Sequence, residues 1–215
     1  RFFTNISHEL RTPLTLIMSP LADSLPQISS ISIRQKLQLV QQNAHQLLSL
    51  VNEIMDLSKL EAGKLELRPT TVELTSLIRR IHQSLSSQAE SKEIDYTLDM
   101  DHEEKWIKID LDKIEKILQN LLSNALKFTD RGGKVHMAVI PEKNGYRFEV
   151  QDSGYGIPKE DLPYVFDRFF QSRQTHLPLQ GGTGIGLALT RELTQLLGGE
   201  ISVSSEEGKG SIFRV

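Results

Sequence analysis

From Ile33 to Leu57 apolar residues return at every third or fourth position: Ile33, Leu37, Val40, Ala44, Leu47, Val51, Ile54, and then Leu57 or Ser58. That spacing is an α-helix with a single apolar seam, the pattern of a helical hairpin or coiled coil. A seam of this length has to be covered. The preceding stretch, Phe3 to about Leu25, also reads as a helix, and Pro26 with Ile28–Ser32 makes the turn between them. The second helix runs from about Ile33 to Ala62, where Gly63 is a natural stop. Two helices expose more stripe than they cover. A four-helix dimer answers that need, and so does an antiparallel hairpin packed on the rest of the same chain.

After Gly63 the period changes. Leu65 to Thr71 is extended and contains a proline, as a linker would, and Leu74–Lys92 reads as a helix. Asp95–Met100 and Trp106–Ile109 read as strands, and Asp110 or Asp112 caps a helix reaching about Lys127. Lys134–Ile140 and Tyr146–Gln151 alternate as strands around an Asn144-Gly145 turn. Residues 152–185 are rich in Gly, Pro and polar groups. A helix over Ile185–Leu197 ends at Gly198-Gly199, and Glu200–Ser204 with Ser211–Val215 forms a last hairpin. Strands and helices without regular βαβ alternation predict an α+β chain: a helical hairpin over residues 1–66, then an α/β sandwich over residues 67–215. The net charge of −3 gives no electrostatic reason to expect nucleic acid. The absence of cysteine excludes disulfides and Cys-ligated metal. No run approaches the ~18 apolar residues of a membrane span. The first residues read as mid-helix and the last, Ser211–Val215, as a strand, so the chain reads as a piece of something longer, with any membrane contact made outside it.

On a wheel with His8 at zero, Phe3, Ile6, Leu10, Leu14, Ile17 and Leu21 fall between about 160° and 240°. His8 therefore points away from the core stripe. Thr12 lies about 40° from it and Glu9 about 100°. Pro13 has no N–H, so the Glu9 carbonyl loses its helical partner and the helix is loosened within a turn of His8. An imidazole in solvent beside a carboxylate is suited to proton handling. By itself it is also an ordinary surface histidine.

In the helix Leu111–Lys127, Asn120, Asn124 and Lys127 share one stripe, while Ile114, Ile117, Leu118, Leu121, Leu122 and Ala125 lie at about 60° to 200° from Asn120. An amide carbonyl suits Mg²⁺, which takes hard oxygen ligands and keeps waters. A lysine one turn away adds a point charge for phosphate. Asp152-Ser153-Gly154-Tyr155-Gly156-Ile157-Pro158 follows a strand, where a carboxylate can accept from an adenine amino group and glycines let backbone approach a ring. Gly181-Gly182-Thr183-Gly184-Ile185-Gly186-Leu187 opens a helix, whose free N–H groups favour phosphate. No Gly-Lys-Ser/Thr follows, as a P-loop requires, and no strand immediately precedes, as a Rossmann turn requires.

Taken together these segments resemble the catalytic core of sensor histidine kinases, in family order over nearly the whole chain. Phe2 to Leu14 resembles the H box, Gln119 to Thr129 the N box, Asp152 to Ile157 the G1 box, Phe166-Asp167-Arg168-Phe169-Phe170 the F box, and Gly181 to Leu187 the G2 box. Gly208-Lys209-Gly210-Ser211-Ile212-Phe213 is similar to the trailing glycine motif. The resemblance implies a dimerisation and phosphoacceptor domain at 1–66 that forms a dimeric four-helix bundle. It implies an ATP-binding domain of the Bergerat type at 67–215, a fold shared with Hsp90-, MutL- and gyrase-type ATPases.

By the same resemblance His8 accepts the γ-phosphoryl group of ATP, Glu9 handles its proton, and Thr12 positions water when a response regulator is dephosphorylated. Asn120 is implied as the Mg²⁺ ligand, with Asn124, Lys127 and Phe128 at the nucleotide. Asp152, Gly154, Gly156 and Ile157 are implied around the base. Arg168, Phe169, Arg173, Gly182, Thr183, Gly184, Gly186 and Leu187 are implied as further nucleotide-binding residues, with Gln171–Gln180 as a mobile lid. Gln171 is a departure: many relatives hold arginine there, near the γ-phosphate, and here Arg168, Arg173 or neither could take its place. The implied partners are a second copy of the chain and the receiver domain of a response regulator, in cis or in trans. The Leu-rich helix ending Leu57-Ser58-Lys59-Leu60-Glu61-Ala62-Gly63 is similar in style to hybrid sensors. The implied place is the cytoplasmic side of a bacterial inner-membrane sensor. Two rivals follow the same motifs: an ATPase of this fold that does mechanical work, and a degenerate kinase serving as a scaffold. Whether phosphoryl transfer runs within a protomer or between protomers depends on the handedness of the turn near residues 26–32.

Overall fold

The computed structural model describes residues 13–22, 24–25, 28–101, 103–143, 145–172 and 183–215. The chain divides into two compact units, Arg1–Glu66 and Leu67–Val215. In the first, residues 13–22 form helix α1 and Ile31–Glu61 form helix α2. Helix α2 starts two residues before the seam does. Arg34 donates from Nε to the Ile28 carbonyl at 3.1 Å, which fixes the turn against the first helical turn. At the other end Gly63, with φ +60°, donates to the Leu60 carbonyl. Among the described residues no helix is long and apolar enough to cross a membrane.

The seam of α2 is split along its length. Ala44 and Val51 are buried, whereas Ile33, Val40 and Leu47, seven residues apart, are 52%, 46% and 46% exposed. In α1 Leu14 is buried, but Ile17, placed on the same stripe by the wheel, is exposed.

The second unit holds strands β1 (Thr70–Glu73), β2 (Asp95–Asp99), β3 (Trp106–Ile109), β4 (Lys134–Glu142), β5 (Gly145–Asp152), β6 (Ser202–Glu206) and β7 (Gly210–Arg214). Strands β1 and β3 pair as a short antiparallel ribbon, and the others form a five-stranded sheet in the order β2-β4-β5-β7-β6. Among the described residues only β2 and β4 run parallel. Helix α5 (Leu111–Phe128) packs on β4, β5, α3 (Leu74–Ser84) and α6 (Gly186–Leu196). The core row follows from the period of two: Val135, Met137 and Val139 of β4 are buried, and they pair with Asp152, Val150 and Phe148 of β5. In turn Val150 pairs with Phe213 and Asp152 with Ser211 of β7. Asp152 is thus the last position of a core-facing row.

Residues Leu74–Lys92, read from sequence as one helix, are two: α3 and α4 (Ser86–Ser91). The break falls at Leu85, just after Ser84, whose hydroxyl donates to the Ile81 carbonyl at 2.7 Å. Leu85 donates to His82 at 3.2 Å, and the helix tightens and stops. The described part of the stretch after Gly156 contains a 3₁₀ turn, Leu162–Tyr164.

Candidate functional site

Helix α5 carries the first part of the site. Asp110 is its N-cap, accepting from the Lys113 N–H at 3.2 Å and from the Arg68 N–H at 2.8 Å. Burial would raise its pKa, but these N–H groups and the Lys113 ammonium bring it below the usual carboxylate value. The buried face of α5 is wider than the sequence wheel allowed, because Leu126 is also fully buried. Asn120, Asn124, Lys127 and Phe128 are all half-buried, along the border of that face.

Asn120 is oriented by a residue the sequence reading missed. Its Nδ2 donates to Thr190 Oγ1 at 2.7 Å, and the Thr190 hydroxyl donates to the Gly186 carbonyl at 2.9 Å. The amide oxygen Oδ1 is thereby turned toward Gly186, at the first turn of α6, where a Cβ would collide with it. Glycine at 186 is what lets α6 begin there. Thr190 is buried on α6, four residues after Gly186. That i, i+4 spacing was visible, but nothing in the sequence ties it to Asn120, seventy residues away.

Lys127 sits over the Phe128 ring, 4.9 Å from its centroid. Burial lowers its pKa from the ordinary lysine value. An anion beside it would offset that cost.

Asp152 is buried at the end of β5. Its Oδ1 accepts from the N–H groups of Gly154, at 2.9 Å, and Ser211, at 3.3 Å. Burial raises its pKa and these two bonds oppose the rise. Among the described residues no hydrogen bond reaches Oδ2. Gly154 lies against the last residue of α5: a Cβ would overlap the Phe128 carbonyl, and the next residue, Tyr155, donates its N–H to that carbonyl at 3.2 Å. The carboxylate of the first loop and the end of α5 are thus held together by backbone contact. Gly156, with φ +66°, lies against the Glu206 carbonyl, and the Ile157 N–H donates to Ser205 Oγ at 2.8 Å. Gly208 closes the turn by donating to Tyr155 at 2.7 Å.

In the second glycine segment, Thr183 Oγ1 accepts from the Ile185 N–H at 3.1 Å. Gly184 has φ +69° and its carbonyl accepts from the Phe169 N–H at 2.8 Å. Phe169 itself has φ +61° and is exposed, an uncommon backbone state for an aromatic residue. Arg168 and Leu187 lie on either side of this contact, in sequence just before Phe169 and just after Gly186. Asp167 faces Arg191 of α6 at 3.9 Å. Among the described residues no three His, Cys, Asp or Glu side chains form a metal cluster. The predicted residues His8, Glu9, Thr12, Arg173 and Gly182 lie outside the described residues, as does most of Gln171–Gln180.

The arrangement offers a buried carboxylate oxygen at one end, a lysine over an aromatic ring in the middle, and an amide oxygen at a glycine-opened helix start. These groups can receive an amino-bearing ring, a polyanion and a hard cation in that order.

Residues 109–215 match the family model described as the histidine kinase-, DNA gyrase B- and HSP90-like ATPase. Residues 1–63 match the His Kinase A (phospho-acceptor) domain. Hybrid signal transduction histidine kinase D of Dictyostelium discoideum is 36% identical over 99% of this chain and 14% of its own length. The aerobic respiration control sensor protein ArcB of Escherichia coli is 36% identical over 99% of this chain and 28% of its own length. The chain therefore spans less than a third of either relative. Among solved structures, full-length ShkA in complex with AMPPNP aligns with TM-score 0.78 and 27% identity, covering 99% of this chain and 44% of that one.

Proposed function

This chain belongs to the histidine kinases, and from that premise we propose that it is the catalytic core of a two-component sensor: ATP phosphorylates His8, and the phosphoryl group passes to an aspartate of a receiver domain. Residues 1–66 would dimerise and carry the acceptor, and residues 67–215 would hold the nucleotide. The observation that carries this reading is the Asp152 carboxylate, anchored through Oδ1 with Oδ2 left to accept, beside a Phe128 carbonyl that only glycine at 154 can approach. That is a seat for an adenine amino group and ring. The phosphates would lie toward Lys127 and the start of α6, where an ammonium and helix N–H groups favour negative charge.

Asn120 fits Mg²⁺ because Thr190 fixes its amide with the oxygen presented. One protein oxygen suits an ion that keeps waters and takes phosphate oxygens. When bound, Mg²⁺ neutralises charge on the phosphates. The work left to the chain is alignment. A ring nitrogen of His8 attacks the γ-phosphorus, the bond to the ADP oxygen breaks, and Glu9 takes the ring proton. Thr12 would position water for dephosphorylation of the regulator. Asn124, Gly156, Ile157, Arg168, Phe169, Arg173, Gly182, Thr183, Gly184 and Leu187 would line the nucleotide. Membrane contact, with a bacterial inner-membrane location, would come from chain outside these residues.

Incubation with γ-labelled ATP tests the proposal. The label should be acid-labile and base-stable, should vanish in His8→Gln while ATP still binds, and should vanish in Asn120→Asp. Label persisting on His8→Gln removes His8 as the acceptor, and ATP turnover without protein-bound phosphate favours a work-performing ATPase.

A further inference from the structure

Four successive carbonyls leave the C-terminal end of α5, at Leu126, Lys127, Phe128 and Thr129, where a helix has no N–H groups left to satisfy them. Three are taken by one side chain. Lys92 Nζ donates to Leu126 at 2.7 Å, to Lys127 at 3.0 Å and to Thr129 at 3.2 Å. An ammonium has three donors, so this one is fully used. The fourth carbonyl, Phe128, accepts from Tyr155 in the first glycine loop.

Lys92 is itself held. It is the C-cap of α4, and the chain there closes through Glu93 N–H to Glu90 at 2.9 Å and Ile94 N–H to Ala89 at 3.0 Å. The Lys92 carbonyl accepts from Gly132 at 3.1 Å, and Asp95 donates to Gly133 at 2.9 Å. Arg131 Nε donates to Glu93 at 2.8 Å. The ammonium thus reaches α5 from a turn that is bonded to the segment following α5.

We propose that Lys92 is a positioning residue for the nucleotide site. By binding the carbonyls on either side of Phe128, it leaves the Phe128 carbonyl one direction, toward Tyr155. That sets the glycine loop, and through the Gly154 N–H it sets Asp152. Lys127 and Phe128 ride on the same turn. A cation at this end of a helix is also favoured by the dipole. The inference rests on the reading of Asp152 as the adenine acceptor, and it adds a specificity determinant outside all the motifs that resemble the family's.

The test is calorimetric titration of the full chain, wild type, Lys92→Met and Lys92→Arg, with ADP and with GDP, alongside thermal melts. GDP has no amino group where adenine carries one, so the ADP-to-GDP affinity ratio reads the Asp152 setting. Lys92→Met should lose roughly tenfold in ADP affinity and in that ratio, the loss expected of a displaced hydrogen bond to a charged group. Lys92→Arg should fall between, because a planar fork cannot address three carbonyls from one atom. A folded Lys92→Met with the wild-type ratio overturns the proposal even if its melting temperature drops. Should that variant not fold, an unchanged ratio in Lys92→Arg overturns it. A wild type that binds neither nucleotide removes the site reading itself, and the proposal with it.

Discussion

Asp152 holds two demands that oppose each other. The strand period puts it on the core-facing row, where burial raises its pKa above the ordinary 3.8. The same placement supplies the N–H groups that fix Oδ1. A folded-state pKa above the unfolded value means that the ionised form costs stability at neutral pH, a cost absent below about pH 3.8, where the group is neutral in both states. Asp152→Asn keeps an acceptor for Gly154 and Ser211 and removes the charge. It should melt at or above the wild-type temperature at pH 7, with the gain fading as pH falls below the carboxyl range. It should also bind ADP roughly 10- to 100-fold more weakly, because an amide N–H₂ placed at Oδ2 faces an amino group it cannot accept from. Calorimetry at pH 7 checks the second part, and wild-type affinity in Asp152→Asn would remove it from the base. The carboxylate at the end of a strand was legible in the sequence. The partners that orient Asn120 and α5, Thr190 and Lys92, were not, because each reaches its target across a wide gap in sequence by a single hydrogen-bonding group and leaves no periodic trace.

At the scale of elements, periodicity carried most of the reading and local hydrogen bonding set its limits. The stripe of α5 was plain from the spacing of Ile114, Ile117, Leu118, Leu121, Leu122 and Ala125, and all six are buried. The helix from Leu74 breaks at Leu85, whose N–H pairs with the carbonyl three residues back rather than four, a local change of hydrogen bonding that apolar spacing does not register. The start of α3 is set by Glu73, whose carboxylate accepts from Thr75 N–H at 2.8 Å and Ser76 N–H at 2.6 Å, and from Lys105 N–H at 3.3 Å. The bonds from Ser76 first, then those from Thr75 and Lys105, hold its pKa down at about 2 against an ordinary 4.5. With the folded value depressed, its contribution is complete above about pH 4.5 and is lost as pH falls toward 2. Glu73→Gln should therefore melt below wild type at pH 7, and the two melting curves should converge near pH 2. A difference that persists unchanged to that pH would mean that capping by the charged form is not what α3 depends on.

At the scale of the whole molecule, the two units differ in how far each completes its own core. The second closes a five-stranded sheet under α5, which also packs on α6, with Leu118, Leu122 and Met137 fully buried. The first leaves one column of its seam, Ile33, Val40 and Leu47, in solvent at a strict spacing of seven. A straight helix drifts only ~20° per heptad, so such a column stays on one side over two turns of the repeat and can meet the same column of a second copy. In a two-fold interface each side chain is used twice. Val40 and Leu47 are each 46% exposed, so burying what remains is worth about 0.7–1.5 kcal/mol per side chain, and two positions counted on both copies contribute a useful share of what a stable dimer needs. Val40→Lys with Leu47→Lys places like charges across the axis. Because both sites are exposed in the single chain, the fold of each unit should survive. We expect sedimentation equilibrium to give a dimer for the wild type and a monomer for the double variant, with ADP binding by the second unit unchanged. A wild type that sediments as a monomer would favour the alternative of a hairpin closed within its own chain. A double variant that remains dimeric would place the interface on another face of α2.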